Sequence, residues 1–322
     1  MMDAVTLDPV DRGVLHALQI DGRAPLRTIA AVIGVSENTV ARRYQRLRSA
    51  GVVRVAGAVN GDRLGYTQWT LRLQCTPDAA NAVAAALAER SDTSWVYLLS
   101  GGTEISCSTQ LRGTGDRDTL LLAKLPRTRR VTSVSAHSIL RATATPHRWS
   151  GLKWLDADQV AHLTPPPPAE GPPIALDATD TVLLEALARD GRMGYAELAS
   201  VTGWSDSTVK RRMDHLRRAG VLSYMLDVPP AALGFRAEAR LWMRVQPSQL
   251  VATAELVARH PEVSFAAITT GPTNLVAAVT CRDNAELYRF LTERVASLEA
   301  IRDMETAPVI RTVKRAAALL PV

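Results

Sequence analysis

The sequence predicts an α+β chain in which one unit is written twice, each copy running through three short helices and then strands and helices in the order β, α, β, β, α, β. Three observations carry this. A shift of 169 positions makes about 25 of 59 ungapped residues identical, from Leu7-Asp8 on Leu176-Asp177, through Asp21-Gly22-Arg23 on Asp190-Gly191-Arg192, to Leu64-Gly65 on Leu233-Gly234. A register unbroken for that long marks a duplication. The chain has 322 residues, 47% apolar and 22% charged, which is ample for two such units. Prolines at 165–168 and 172–173 separate the copies and read as a stiff extended spacer.

The elements follow in order. Asp8 is placed to cap a first helix, with Pro9 at its first position, Leu7 as a staple, Val14, Leu15 and Leu18 as its apolar stripe, and Gly22 as its stop. A second helix carries Leu26, Ile29, Ala30 and Ile33 and ends at Gly34. Ser36 caps a third, whose apolar positions Val40, Tyr44 and Leu47 keep helical spacing until Gly51. Three short helices with a glycine turn before the last form a helix-turn-helix, and 52–59 reads as the strand of a wing. Downstream, copy one predicts strands at 69–75, 95–99, 105–109 and 131–140 with helices at 79–88 and 116–125. Copy two predicts strands at 241–245, 263–269, 275–280 and 304–313 with helices at 250–259 and 285–298. That order is the ferredoxin-like fold, four antiparallel strands with both helices on one face. The other face needs cover, and the second sheet supplies it, so the chain is expected to be an intrachain pseudo-dimer.

The expected divisions are a winged helix-turn-helix at 1–60, a ferredoxin-like domain at 61–148, a linker at 149–175, and the same pair again at 176–229 and 230–322. Within the linker, a short helix at 155–163 led by Asp156 is expected, docked on the first half by apolar packing of Trp149 and Trp154.

The formal charge is +6. Residues 36–49 hold four arginines against Glu37, and 205–218 hold five bases against Asp206 and Asp214, so the two third helices account for the whole excess. That disfavours a generally basic or membrane-surface protein. On a helical wheel the outward face of the first is Asn38, Arg42, Gln45, Arg46 and Ser49, while Arg43 falls inward, in reach of Asp11. The second presents Ser207, Arg211, Asp214, His215 and Arg218, with Arg212 inward. Double-stranded DNA is the partner this pattern suits. Arg42, Arg46, Arg48, Arg211, Arg217 and Arg218 are expected on phosphates. Asn38, Gln45, Ser207 and Asp214 are expected on bases, and Ser36, Thr39, Ser205, Thr208 and Lys210 lie at the same helix starts. Equal basicity argues that both copies bind, and unlike reading faces call for an asymmetric site.

Cys75, Cys107 and Cys281 lie far apart, so neither a disulfide framework nor a cysteine zinc site is expected. His16, His137, His147, His162, His215 and His260 are scattered, and no nucleophile and base pair, phosphate loop or carboxylate dyad has a recognisable spacing. No catalytic residue, cofactor or metal is expected. The start of the chain lacks a signal stretch and no run approaches ~18 apolar residues, which points to the cytoplasm.

The succession Leu-Asp, Asp-Gly-Arg, Gly-x-Ser-x-x-Thr-Val-x-Arg-Arg, Ala-Gly-Val and Leu-Gly ahead of a βαββαβ domain resembles the Lrp/AsnC family of feast/famine transcription regulators. The resemblance covers nearly the whole chain, twice. It implies a DNA-binding regulator whose ferredoxin-like domains pair sheet to sheet, sense amino acids or related small molecules, and self-associate. The family's effector loop, Gly-x-x-Asp, corresponds here to Gly101-Gly102-Thr103-Glu104 and Gly271-Pro272-Thr273-Asn274, making Gly101, Thr103, Glu104, Gly271, Thr273 and Asn274 the candidate effector residues. The aspartate is replaced in both, and simple glycine turns are the competing reading. Sirohaem decarboxylases share this fold and are the enzymatic alternative, but the matching strands here, Trp95-Val96-Tyr97-Leu98-Leu99 and Phe265-Ala266-Ala267-Ile268, contain no histidine.

Overall fold

The computed structural model describes residues 6–113, 115, 120, 130–169, 171–172, 174–315 and 318–319. They fall into two compact units that cut across the duplication: residues up to Gly65 join Leu152–Leu233, and Tyr66–Gly151 join Gly234–Arg315. Each unit therefore holds the same half of both copies.

The first unit contains α1 (Pro9–Ile20), α2 (Leu26–Ile33), α3 (Glu37–Ser49) and β1 (Arg54–Val59) from copy one. The linker contributes α5 (Ala157–Leu163), and copy two contributes α6 (Ala178–Arg189), α7 (Tyr195–Thr202), α8 (Asp206–Arg218) and β6 (Leu222–Asp227). Asp8 and Asp177 close reciprocal capping boxes with Asp11 and Asp180, and Ser36 and Ser205 accept the backbone N–H of Thr39 and Thr208. The strand expected as a wing does not fold back on its own copy. β1 pairs antiparallel with β6, Arg54 opposite Asp227 and Val59 opposite Leu222, so the two copies share one ribbon.

The repeated Asp-Gly-Arg is the device that locks them. Arg23 donates to the carbonyls of Gly191 and Met193 at 2.8 and 2.9 Å, while Arg192 donates to those of Gly22 and Ala24 at 2.8 and 3.1 Å. Gly22 is obligatory because a Cβ there would lie 2.9 Å from side chains of Tyr224 and Val55. Asp190 accepts from Arg48 at 2.7 Å, and Asp21 from Arg217 at 3.2 Å.

The linker helix forms, capped by Asp156 and Gln159, and sits on the first half beside Trp154, whose ring lies 5.9 Å from the Arg12 guanidinium of α1, but hydrogen bonds hold it as well and Trp149 takes no part. His16 Nδ1 accepts the backbone N–H groups of Trp154 and Leu155 at 3.1 and 2.9 Å, and Gln159 Nε2 donates to the Val32 carbonyl at 2.7 Å. Trp154 is half exposed, and Trp149 lies in the second unit, its ring 5.0 Å from that of Phe235 and its indole N–H on the Pro261 carbonyl. The proline segment is strapped down as well as extended: Ala169 N–H donates to the Arg218 carbonyl at 2.7 Å, and Arg63 donates to the Ala169 carbonyl at 2.6 Å.

The second unit contains β2 (Thr67–Cys75), α4 (Ala80–Glu89), β3 (Thr93–Leu99), β4 (Glu104–Leu111) and β5 (Val131–Ala144) from copy one. Copy two adds β7 (Ala237–Val245), α9 (Leu250–Ala258), β8 (Val263–Thr269), β9 (Leu275–Cys281), α10 (Asn284–Arg289) and β10 (Ile301–Arg315). The helix expected at 116–125 falls on residues of which only Leu120 is described, buried on the helix side of the first sheet. The helix expected at 285–298 is α10 followed by a π-helical stretch, Phe290–Val295.

The sheets are ordered β3-β4-β2-β5 and β8-β9-β7-β10, the split ferredoxin-like arrangement. The last strands run past the expected ends of 140 and 313. β5 pairs with β2 through Ser138 and then with β8 from Ile139, and β10 pairs with β7 through Pro308 and then with β3 from Val309. Each sheet thus lends the end of its closing strand to the other. Alternate residues serve opposite faces. Leu71 and Leu73, like Leu241 and Met243, pack on the helix sides, whereas Tyr97, Leu99, Trp242, Ala267, Val276 and Ala307 form an apolar layer between the sheets. No helix among the described residues is long and apolar enough to cross a membrane.

Candidate nucleic-acid interface and effector loops

α3 and α8 stand on matched scaffolds. Val40, Tyr44 and Leu47 are buried under α3, and Val209, Met213 and Leu216 under α8, which leaves the opposite faces outward as the wheel requires. Asn38, Arg42, Gln45, Ser207, Lys210, Arg211, Asp214 and Arg218 are all exposed, as are the cap residues Ser36 and Ser205, while Thr39 and Thr208 are half-buried. Ser36 is 2.8 Å from the Thr39 hydroxyl, and Ser205 bonds both Ser207 and Thr208 at 3.0 Å, so these hydroxyls first serve the helix start. Gln45 reaches Ser49 at 3.4 Å.

The inward arginines pair as expected. Arg43 reaches Asp8 at 2.8 Å and Asp11 at 3.6 Å, and Arg212 Nε donates to Asp180 at 2.6 Å. Burial alone would push the Asp180 carboxyl up. Hydrogen bonds from Arg212 and the Asp177 backbone outweigh it and hold the group below the usual carboxylate range.

Three arginines expected on phosphates are already committed. Arg46 pairs with Asp11 at 2.6 Å, Arg48 with Asp190, and Arg217 with Asp21. Their acceptors come from a different helix or from the other copy, which a single-helix projection cannot contain. The consequence is an asymmetry: among the described residues α3 keeps one exposed cation without a carboxylate partner, Arg42, whereas α8 keeps Lys210, Arg211 and Arg218. The equal formal charge of the two helices does not survive folding as equal available charge.

The effector loops lie in the second unit. Gly101 and Gly271 have φ of 77° and 101°, and a Cβ on Gly271 would also collide with the His137 ring at 2.3 Å. Glu104, 3% exposed, is bonded by Arg72 Nε. Asn274 is used twice by the end of β7, accepting from the Val245 N–H at 2.8 Å and donating to its carbonyl at 2.9 Å. Thr103 and Thr273 act through their carbonyls, which accept from the Cys75 N–H and the Thr269 hydroxyl. The polar groups that stand where the family's aspartate would be are therefore occupied within the chain. The cysteines are free and buried.

Comparison with known proteins agrees with this geometry. The AsnC-type helix-turn-helix domain matches residues 7–48 and again 176–217, and the Lrp/AsnC ligand binding domain matches 238–319. An uncharacterized HTH-type transcriptional regulator of Pyrococcus abyssi is 33% identical over 143 residues, 44% of this chain and 90% of its own. The regulatory protein AsnC of Escherichia coli K12 is 30% identical over 150 residues, 43% of this chain and 96% of its own. Each regulator is matched almost end to end by less than half of this chain, as a duplicated chain requires. The crystal structure of the siroheme decarboxylase NirDL superposes with a TM-score of 0.65 at 15% identity, over 96% of this chain and 93% of that one, a likeness of fold. With its two helix-turn-helix domains and exchanged ferredoxin-like sheets, the chain belongs to the Lrp/AsnC family of DNA-binding transcriptional regulators, in a form that carries two copies of the family unit.

Proposed function

We propose that a single chain reads one asymmetric stretch of double-stranded DNA with α3 and α8 in successive major grooves. The observation that carries this is the unequal pair of outward faces on matched scaffolds: Asn38, Arg42 and Gln45 on one, Ser207, Lys210, Arg211, Asp214 and Arg218 on the other. The cations serve phosphates and the amide, hydroxyl and carboxylate groups serve base edges. Arg46, Arg48 and Arg217 act as braces that fix the two helices to their shared scaffold. The regulatory input is a small molecule held by the second unit, with Gly101 and Gly271 shaping loops whose polar side chains frame the sheets.

Leu140 and Ile310 are exposed at matching points of the two long strands and support self-association of chains, which sedentation at rising concentration would register as a doubling of mass.

The experiment is selection from random duplex DNA followed by footprinting. The expected site has two unlike half-sites, and Arg42→Ala with Arg211→Ala raises the protein concentration needed for the footprint by roughly twenty-fivefold. Undiminished selection by that double variant would overturn the reading. We also propose that the chain is a regulator without enzymatic activity, so incubation with sirohaem should leave every carboxylate in place.

A further inference from the structure

Two arginines enter the layer between the sheets of the second unit, and their surroundings differ. Arg72, on β2, is bonded by the carboxylates of Glu104 and Glu305 and lies 4.2 Å from the centre of the Trp242 ring. Its charge is answered inside the chain. Arg240, on β7, is 5% exposed, and among the described residues its guanidinium has neither an ion-pair nor a hydrogen-bond partner. It rests 5.5 Å from the Tyr97 ring and 5.7 Å from the Phe265 ring. Directly across the two flanking strands stand Ala278 and Ala307, whose side chains stop short of a guanidinium.

Ser106 adds a second orphan on the same layer. It stands across from Tyr97 and, with Ile105 and Cys107 facing the helices, its side chain faces the other sheet. Its Oγ is buried without a hydrogen-bond partner among the described residues. A guanidinium and a hydroxyl left unanswered in an apolar interior are both costly. An anion that brings its own oxygens answers both, and the two aromatic rings then contact its apolar body.

We propose that Arg240 anchors a binding site for an apolar carboxylate, of the 2-oxo-acid or arylcarboxylate type, between the two sheets. The ligand's carboxylate takes the planar fork of Arg240, and Tyr97 and Phe265 flank its body. An amino acid fits less well. Its ammonium needs a charged acceptor: Glu104 and Glu305 are both held by Arg72, and burial pushes the carboxyl of Glu238, two residues from Arg240 on the same face of β7, up toward its neutral form. Burial also presses the Arg240 pKa down, the direction an adjacent anion reverses.

The proposal deepens the regulator reading, on which any consequence for transcription rests, so binding is measured on the full chain without DNA. Equilibrium dialysis with phenylpyruvate and with phenylalanine compares two ligands that differ at one carbon. Wild type is expected to bind phenylpyruvate, phenylalanine on the order of tenfold more weakly, and Arg240→Met to lose roughly thirtyfold or more of the phenylpyruvate affinity. Without ligand, Arg240→Met is expected to melt no lower than wild type, since an apolar side chain replaces an unanswered buried charge. Phenylpyruvate should raise the melting temperature of wild type alone. The proposal fails if wild type binds neither compound, if phenylalanine binds as tightly, if Arg240→Met binds within a few fold of wild type, or if it melts well below it. Each of those results leaves DNA selection by α3 and α8 standing.

Discussion

α3 and α8 are copies of one helix with the same cap, the same buried stripe and the same formal charge, yet they offer DNA different amounts of cation. The difference arises from what each is tied to. In copy one, Asp11 draws in both Arg43 and Arg46; in copy two the residue matching Arg46 is His215, and among the described residues Arg212 is the one arginine paired with Asp180. Lys210 and Arg218 occupy places where α3 has Ala41 and Ser49. Duplication kept the scaffold and let the surfaces diverge, so the chain can have a strong and a weak reading head, which a symmetric homodimer cannot.

The largest effect expected from breaking this comparison is on stability. Asp180→Asn strands Arg212, whereas Asp11→Asn leaves Arg43 on Asp8. Denaturant titration should show Asp180→Asn costing about 3 kcal/mol or more, as removal of one partner from a buried pair does, and Asp11→Asn visibly less. Equal losses would mean that the two scaffolds are held alike.

Next comes DNA affinity at fixed, near-physiological salt. Each lost phosphate contact weakens binding severalfold, so replacing Lys210, Arg211 and Arg218 together by alanine should cost roughly a hundredfold, and Arg42→Ala only about fivefold.

The smallest effect is on the linker. Burial, with help from the nearby Lys153 charge, lowers the His16 pKa, and the neutral ring accepts two backbone N–H groups. A base whose pKa is depressed by folding is protonated more readily in the unfolded chain. Stability is therefore full above the unfolded value of about 6.5 and declines as the pH falls through it. His16→Gln should flatten that decline in melting temperature between neutral and mildly acidic pH, and an unchanged slope would place the sensitivity elsewhere.

Much of this was legible in the chain itself. The caps Asp8, Ser36, Asp177 and Ser205, the stripes Val40-Tyr44-Leu47 and Val209-Met213-Leu216, and the strand order all follow from local periodicity and short-range hydrogen bonding. What was not legible depends on partners far away in sequence. Arg48 meets Asp190 and Arg217 meets Asp21 only because the two copies dock, and a wheel drawn for one helix holds no information about the other copy. The extra length of β5 and β10 has the same cause, since residues after Ser138 and Pro308 answer to the opposite sheet. At the effector loops, Glu104 looked available because its partner, Arg72, lies 32 residues away on a neighbouring strand.

The central claim, that folding leaves α8 with most of the cation available to DNA, is tested most directly by the salt dependence of binding to a selected site. Replacing Lys210, Arg211 and Arg218 by alanine should reduce the slope of log K against log salt by about 3, and Arg42→Ala by about 1. Equal reductions from the α8 triple variant and from Arg42→Ala would contradict it.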